Sequence, residues 1–211
     1  RRYLKSIQAL KGLLDKSAIG QIREIHACHS QNIPGHVLNS DWLSDSRKSG
    51  GGVLHNAGIH LVNLLISLFG KVEHITAIFE NRVLPASAGE DTARCEMLFN
   101  GGIPCRIDAS WASAAPSHYE QIVVDGEKGS LTWSLFPNDL ILKNDSSRVQ
   151  HFIFHESLAD SVYNELKHFS QCVRTRETPQ TGIADSLETI RVVEAARDSA
   201  RSGRTTYLSD H

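Results

Sequence analysis

The sequence predicts an α+β fold: an open, largely antiparallel β-sheet with helices packed on one face. Three observations carry that prediction. Helical periodicity is confined to the two ends of the chain and one central stretch. From residue 72 to 154 the texture is β, with short alternating or apolar runs set between turn signals. The connections among those runs are hairpin-length, which favours antiparallel neighbours and leaves the helices to gather on one sheet face.

Residues 3–16 read as an amphipathic helix, with Leu4, Ile7, Leu10 and Leu14 on one face. Gly20 closes that unit, and Gln21 to His29 reads as the first strand. Ser30 to Lys48 carries Pro34, Gly35 and several Ser, Asp and Asn residues, so it reads as a loop. Its length for a compact domain favours a functional loop. A helix follows within Ser49–Gly70. Strands are expected at Val72–Glu80, Thr92–Phe99, Ile103–Trp111, Tyr119–Val124, Ser130–Ser134 and Leu140–Lys143, with a short one at His151–Phe154. Leu158, Val162, Leu166, Phe169 and Val173 restore helical spacing until Pro179 and Gly182 break it. Ile183 to Arg201 forms the last helix, with Leu187, Ile190 and Val193 inward and Gly203 as its stop.

The stretch Ser49–Gly70 holds 22 residues without an Asp, Glu, Lys or Arg. Its polar residues are ordered: Asn56, His60, Asn63 and Ser67 fall at i, i+4, i+7 and i+11, on one helical stripe. The remaining surface, from Leu61 through Phe69, is too apolar for a helix lying on the outside. An uncharged, hydrogen-bonding stripe on a buried helix faces a small polar ligand, or else is satisfied within the core; the spacing alone leaves both readings open.

Composition narrows the function classes. The chain has 22 basic against 24 acidic residues, which gives no electrostatic footprint for nucleic acid or a membrane surface. The uncharged run is broken by glycine, histidine and asparagine, so it does not read as a membrane span. Cys28, Cys95, Cys105 and Cys172 are irregularly spaced, which fits a reducing cytoplasm. The turn at Asn100–Gly102 brings Cys95 and Cys105 onto adjoining strands, where a disulfide is a minor alternative. His26 and Cys28 share a strand face and His29 points away, so no metal site is expected there. Neither Gly50–Gly52 nor Gly126–Gly129 has the spacing of a dinucleotide or P-loop fingerprint. No cofactor-binding residue is therefore assigned in this chain.

The segment Gly50-Gly51-Gly52-x-Leu54-x-Asn56-x-Gly58-x-His60-x-x-Asn63 resembles the Gly-Gly-Gly-x-Leu-x-Asp-x-Gly-x-His-x-x-Asp signature of the glucose–fructose oxidoreductase / inositol dehydrogenase (Gfo/Idh/MocA) family. Arg1-Arg2-Tyr3 through Ala27 is similar to that family's Arg-Arg-Phe helix and following strand. Asp125 to Leu131 is similar to its Gly-x-x-Gly-Ser/Thr-Leu strand, and Tyr163 to Leu208 to its closing helices. The resemblance covers residues 1–211 as one C-terminal substrate and oligomerisation domain. It implies an upstream dinucleotide-binding domain, with its catalytic Lys, that this sequence lacks. It further implies NAD or NADP as cofactor of the full-length parent, hydride transfer with a secondary alcohol of a sugar or cyclitol, and homo-oligomers formed through the uncovered sheet face. The fragment alone is expected to be inactive.

The resemblance assigns acid–base work to His60 and its carboxylate neighbour, but here Asn56 and Asn63 stand where the family has Asp. Asn hydrogen-bonds yet carries no charge and accepts no proton. One reading keeps the parent an oxidoreductase, with His60 catalytic and Asn56 positioning it. A second makes the parent a lapsed member that serves as a sugar-binding, regulatory or scaffold protein. A third, weaker reading is NAD-assisted glycoside cleavage. Asn63, His29 at the end of the first strand and Trp42 in the long loop are the candidate substrate contacts by the same resemblance; a Trp face suits the apolar side of a sugar ring.

Overall fold

A computed structural model describes residues 1–113, 118–146 and 148–208. In chain order the main elements are α1 (Lys5–Asp15), β1 (Ile22–Ser30), α2 (Pro34–Leu38), α3 (Ser46–Ser49) and α4 (Ile59–Phe69). Strands β2 (Val72–Glu80), β3 (Thr92–Phe99), β4 (Ile103–Ser110), β5 (Tyr119–Gly126), β6 (Gly129–Ser134), β7 (Asp139–Asn144) and β8 (Val149–Ile153) follow. Helices α5 (Leu158–Thr175) and α6 (Ile183–Ser202) and the two-residue β9 (Thr206–Tyr207) complete the chain.

The nine strands form one open sheet in the order β8-β7-β6-β5-β1-β4-β3-β2-β9. Every neighbouring pair is antiparallel except β1 and β4, which run parallel because the α2–α4 crossover starts β2 in the direction of β1 and the antiparallel turns through β3 bring β4 back beside it. The two central strands bury Ile25, Ala27, Ile107 and Ala109 against the helices. Helix α6 lies chiefly over β2 and beside α4, while α1 covers β6 and β7. There the Trp133 indole N–H donates to Ser6 Oγ at 2.9 Å, which satisfies the one polar atom of the largest buried ring.

Several expectations change on contact with the structure. The segment 30–48 is not structureless: Pro34 starts the short α2, and the Asp45 carboxylate accepts the Arg47 N–H at the start of α3. The single helix expected within Ser49–Gly70 is α4 preceded by a glycine turn and one π-helical turn, Leu54–Gly58. By length and hydropathy Ser46–Phe69 passes as a membrane-crossing helix, yet half of its most apolar window is buried in this fold. The four cysteines are free thiols. The register sets Cys95 opposite Ile107 and Cys105 opposite Met97, and burial pushes the Cys105 thiol up to about 12.

The last two helices bury different faces from those the periodicity suggests. In α6 the inward side is Thr189, Val192, Val193, Ala195, Ala196 and Ser199, and Leu187 and Ile190 point outward. Small side chains let the helix lie close on β2, which the larger Leu and Ile would prevent. In α5 the apolar stripe Val162, Leu166, Phe169 and Val173 faces solvent, and Ser161 and Cys172 are the residues it buries. The open face of the sheet mixes charge with exposed apolar residues such as Ile78. Asp108 there takes ion pairs from Arg94, Arg106 and His26.

Candidate functional site

The glycine turn is built before the site it frames. Asp45 starts α3, and Gly50 ends it in the left-handed conformation (φ +84°). The buried Glu90 carboxylate then accepts the Gly52 and Leu54 N–H groups at 3.1 and 3.0 Å, and the Val53 N–H donates to the Glu90 carbonyl. A Cβ on Gly52 would fall 1.9 Å from that carbonyl oxygen, so the close approach admits only glycine. Arg197 of α6 donates to the Gly50 carbonyl from the other side. Burial raises the Glu90 pKa above its ordinary value, against the bonds from its own backbone N–H, Leu54 and Gly52 that lower it.

The predicted polar stripe divides once its partners are traced. Asn56 donates to the Gly51 and Gly52 carbonyls at 2.8 and 2.9 Å, and no hydrogen bond joins it to His60. Asn63 donates to Thr189 Oγ1 at 2.9 Å and so ties α4 to α6. Ser67 donates to the Leu64 carbonyl within its own helix. His60 alone has no hydrogen-bond partner among the described residues, and it is exposed while its neighbours Leu61 and Val62 are buried. Its pKa is lowered, first by desolvation against the surrounding surface and then by the Arg1 guanidinium. A neutral imidazole is held ready at the surface.

His29 lies close enough to His60 to act on its charge, and it belongs to a buried cluster. It stands directly opposite Glu120 across the β1–β5 register, and its Nδ1 is 3.1 Å from Glu120 Oε2. Arg1 closes on the same carboxylate through two bonds, Nε to Oε1 at 2.7 Å and Nη2 to Oε2 at 2.9 Å. Burial alone would raise the Glu120 pKa, but the bonds from His29 and Arg1 outweigh it and hold the carboxyl at about 2. The His118 ring sits edge-on to His29 with centroids 4.9 Å apart, and the Phe136 ring lies 4.7 Å from that of His118. The Nε2 atoms of both His29 and His118 are buried without a hydrogen-bond partner among the described residues.

His29, His118 and Glu120 also lie close enough together for a metal ion. Arg1 argues against that use, since it already cancels the Glu120 charge and would face the ion across the carboxylate. Trp42, on the connector between α2 and α3, is 53% exposed, and among the described residues no hydrogen bond or ring contact joins it to His60 or His29. Sequence reasoning missed Glu120, His118 and Glu90. The signal for Glu120 was its place in the buried phase of Glu120-x-Ile122-x-Val124, where an acid demands a partner.

With this geometry in place, comparison with known proteins gives three findings. Residues 7–132, more than half of the chain, match the family model for the GFO/IDH/MocA C-terminal domain. A D-apiose dehydrogenase from Paraburkholderia graminis is 33% identical over 168 residues, 74% of this chain and 44% of that protein; another from Rhizobium rhizogenes is 26% identical over 98% of this chain and 62% of that protein. Among solved structures, levoglucosan dehydrogenase in complex with NADH superposes with a TM-score of 0.91 at 14% identity, covering 100% of this chain and 64% of that one. An oxidoreductase from Agrobacterium radiobacter, in complex with NAD+, L-tartaric acid and magnesium, gives a TM-score of 0.84 at 24% identity over 98% of this chain and 62% of its own. At those identities the superpositions speak for the fold. The chain spans roughly half to two-thirds of the length of these relatives.

Proposed function

The chain belongs to the Gfo/Idh/MocA oxidoreductase family, as its C-terminal domain, and from that premise we propose that it is the substrate-binding and oligomerisation half of an NAD(P)-dependent dehydrogenase. The substrate is a secondary alcohol of a sugar or cyclitol. The nicotinamide comes from a dinucleotide-binding domain, for which this sequence holds no fingerprint, and the domain acts in the cytoplasm with its thiols reduced.

The observation that carries this reading is the presentation of His60. A braced glycine turn and a buried helix hold one exposed, neutral imidazole beside the Arg1–Glu120–His29 cluster. In alcohol oxidation the hydroxyl proton must leave as hydride departs, and an unprotonated imidazole accepts it. Asn56 supports that role through the turn and not by contact with His60. The exposed stripe of α5, with Ile183 and Leu187 of α6, supports a further body on the helical side. That stripe is on the side of α5 away from Tyr3, whose ring lies 5.6 Å from His168 and whose carbonyl accepts from Asn164. Among solved relatives, the levoglucosan dehydrogenase complexes carry NADH, and relatives named for D-apiose fit the sugar class.

The test is an assay of D-apiose, levoglucosan and inositol with NAD+ and NADP+, in a protein that carries this domain behind a dinucleotide-binding domain. His60→Ala is expected to lower turnover by about 10²–10⁴-fold. Because the His60 pKa is lowered, wild-type oxidation should hold its rate as pH falls to the ordinary histidine value and decline only below it. An unaffected rate in His60→Ala would remove the catalytic assignment. Absence of turnover with every sugar would favour the second reading, a lapsed binding protein, to which the missing carboxylates at Asn56 and Asn63 already point.

A further inference from the structure

The carboxylate that the sequence withholds from His60 is present elsewhere. We infer that Glu120 is a positioning residue that fixes His29 as its Nδ1–H tautomer, leaving the Nε2 lone pair as a hydrogen-bond acceptor for a substrate hydroxyl. The charge-backed imidazole of this site is then His29, with His60 beside it as the unpaired one. The inference rests on the polyol reading above for the identity of the hydroxyl, though not for the tautomer.

Two bonds from Arg1, the contact to His29 and a longer approach of His118 Nε2 at 3.9 Å surround the Glu120 carboxylate, which is fully buried. Burial by itself would favour its protonated form, but the His29 and Arg1 bonds prevail and keep it ionised. An ionised carboxylate only accepts, so at 3.1 Å the Nδ1 of His29 must donate. The other tautomer would set a nitrogen lone pair against an oxygen lone pair inside a buried site. A neutral ring protonated at Nδ1 has no proton on Nε2. That atom is 97% enclosed with its residue and finds no partner among the described residues. Buried polar atoms are almost always bonded, so an orphan acceptor beside an exposed histidine calls for a donor brought by a ligand.

Packing holds the ring in that pose. His118 meets His29 edge-on at 4.9 Å, and Phe136 lies 4.7 Å from His118, so the His29 ring sits within a packed aromatic cluster. The cross-strand pairing of His29 with Glu120 fixes the contact in the backbone of the sheet. A sugar or cyclitol offers several hydroxyls, and one donating to Nε2 would complete the relay from hydroxyl to His29 to Glu120 to Arg1.

Long-range proton–nitrogen spectra of the ¹⁵N-labelled 211-residue chain, assigned through His29→Gln, test this directly. The expected wild-type pattern is a protonated Nδ1 and an unprotonated Nε2 in a single tautomer. Glu120→Gln should lose that bias and show both tautomers, with folding checked by circular dichroism. Should Glu120→Gln not fold, the wild-type spectrum alone decides, since a protonated Nε2 or an even mixture there overturns the inference. Titration with D-apiose at high concentration is expected to shift Nε2 of His29 together with the His60 ring. A sugar that moves His60 and leaves His29 unchanged overturns the acceptor role while sparing the proposed function. If D-apiose, levoglucosan and inositol all move neither ring, in the chain alone and behind a dinucleotide-binding domain, the polyol reading falls and the acceptor role with it, and the tautomer result then stands on its own.

Discussion

The side-chain amide of Asn56 spends its donors on two glycine carbonyls, and this decides what a carboxylate there would do. Aspartate would set oxygen against oxygen and lose both bonds. Asn56→Asp is therefore expected to destabilise the chain by about 1–3 kcal/mol, read as a lower urea midpoint at neutral pH. An unchanged midpoint would show that the turn does not depend on the amide. Glu120 and Glu90 make a second test, because their pKa values move in opposite directions. Glu120 sits at about 2 when folded, below its unfolded value, so its stabilisation is present above that unfolded value and lost as pH falls toward 2. Glu90 has a raised folded pKa, so its ionisation costs stability as pH rises through its unfolded value. Acid titration of the unfolding free energy should show a loss of roughly 2–3 kcal/mol between about pH 4.5 and 2 that Glu120→Gln removes. If the variant keeps the same slope, the carboxylate is not held as the geometry indicates. None of this was legible in the spacing of Asn56 and His60. Spacing fixes a helical face, but the glycine turn that claims Asn56 is held by Glu90 of a distant loop, and no local pattern connects them.

At the scale of the element, the strands were legible because alternation over five or more residues leaves one phase buried. Val72–Glu80 and Thr92–Phe99 were read to the residue, the other predicted strands fell within two residues of their ends, and the two-residue β9 was not foreseen. The helices exposed the limit of the same reasoning. Periodicity shows that α5 has an apolar stripe, but it cannot say that the stripe faces outward, because a stripe meant for another body has the same spacing as one meant for the core. The contrary signal was on the opposite side, where Ser161, Asn164, His168 and Cys172 supply a small, polar, inward face that bonds to Tyr3 and Gln180. A prediction follows from this arrangement. In the isolated chain, Leu166→Ser and Phe169→Ser should each change stability by less than about 1 kcal/mol, against the 2–5 kcal/mol expected for truncating a buried residue of that size. Urea denaturation of the two variants measures this, and a loss in the larger range would mean that α5 packs with its stripe inward.

At the scale of the molecule, two surfaces are left uncovered, and they differ in chemistry. The helical side bears the apolar residues of α5 and α6, while the open sheet bears the Arg94–Asp108–Arg106 network with His26 beside it. That face also carries exposed Ile78, directly opposite Arg94, so association through the sheet, the route the family resemblance implies, would not rest on apolar area alone. If two copies do pair there, they pair by polar contacts over the breadth of nine strands, and such contacts weaken as salt screens them. The apolar stripe would obscure the measurement by sticking to itself, so Leu166→Ser with Phe169→Ser is the suitable background. Sedimentation of that variant at tens of micromolar should show dimers at low ionic strength that dissociate toward monomer at about 1 M salt, where the screening length falls to roughly 3 Å. Arg94→Glu should abolish the dimer at any salt, since it breaks the network and sets like charges together across the interface. Dimers that persist in high salt and in Arg94→Glu would place the contact elsewhere. A strict monomer throughout would leave the sheet face open to solvent, with the charge network serving only the stability of β3 and β4.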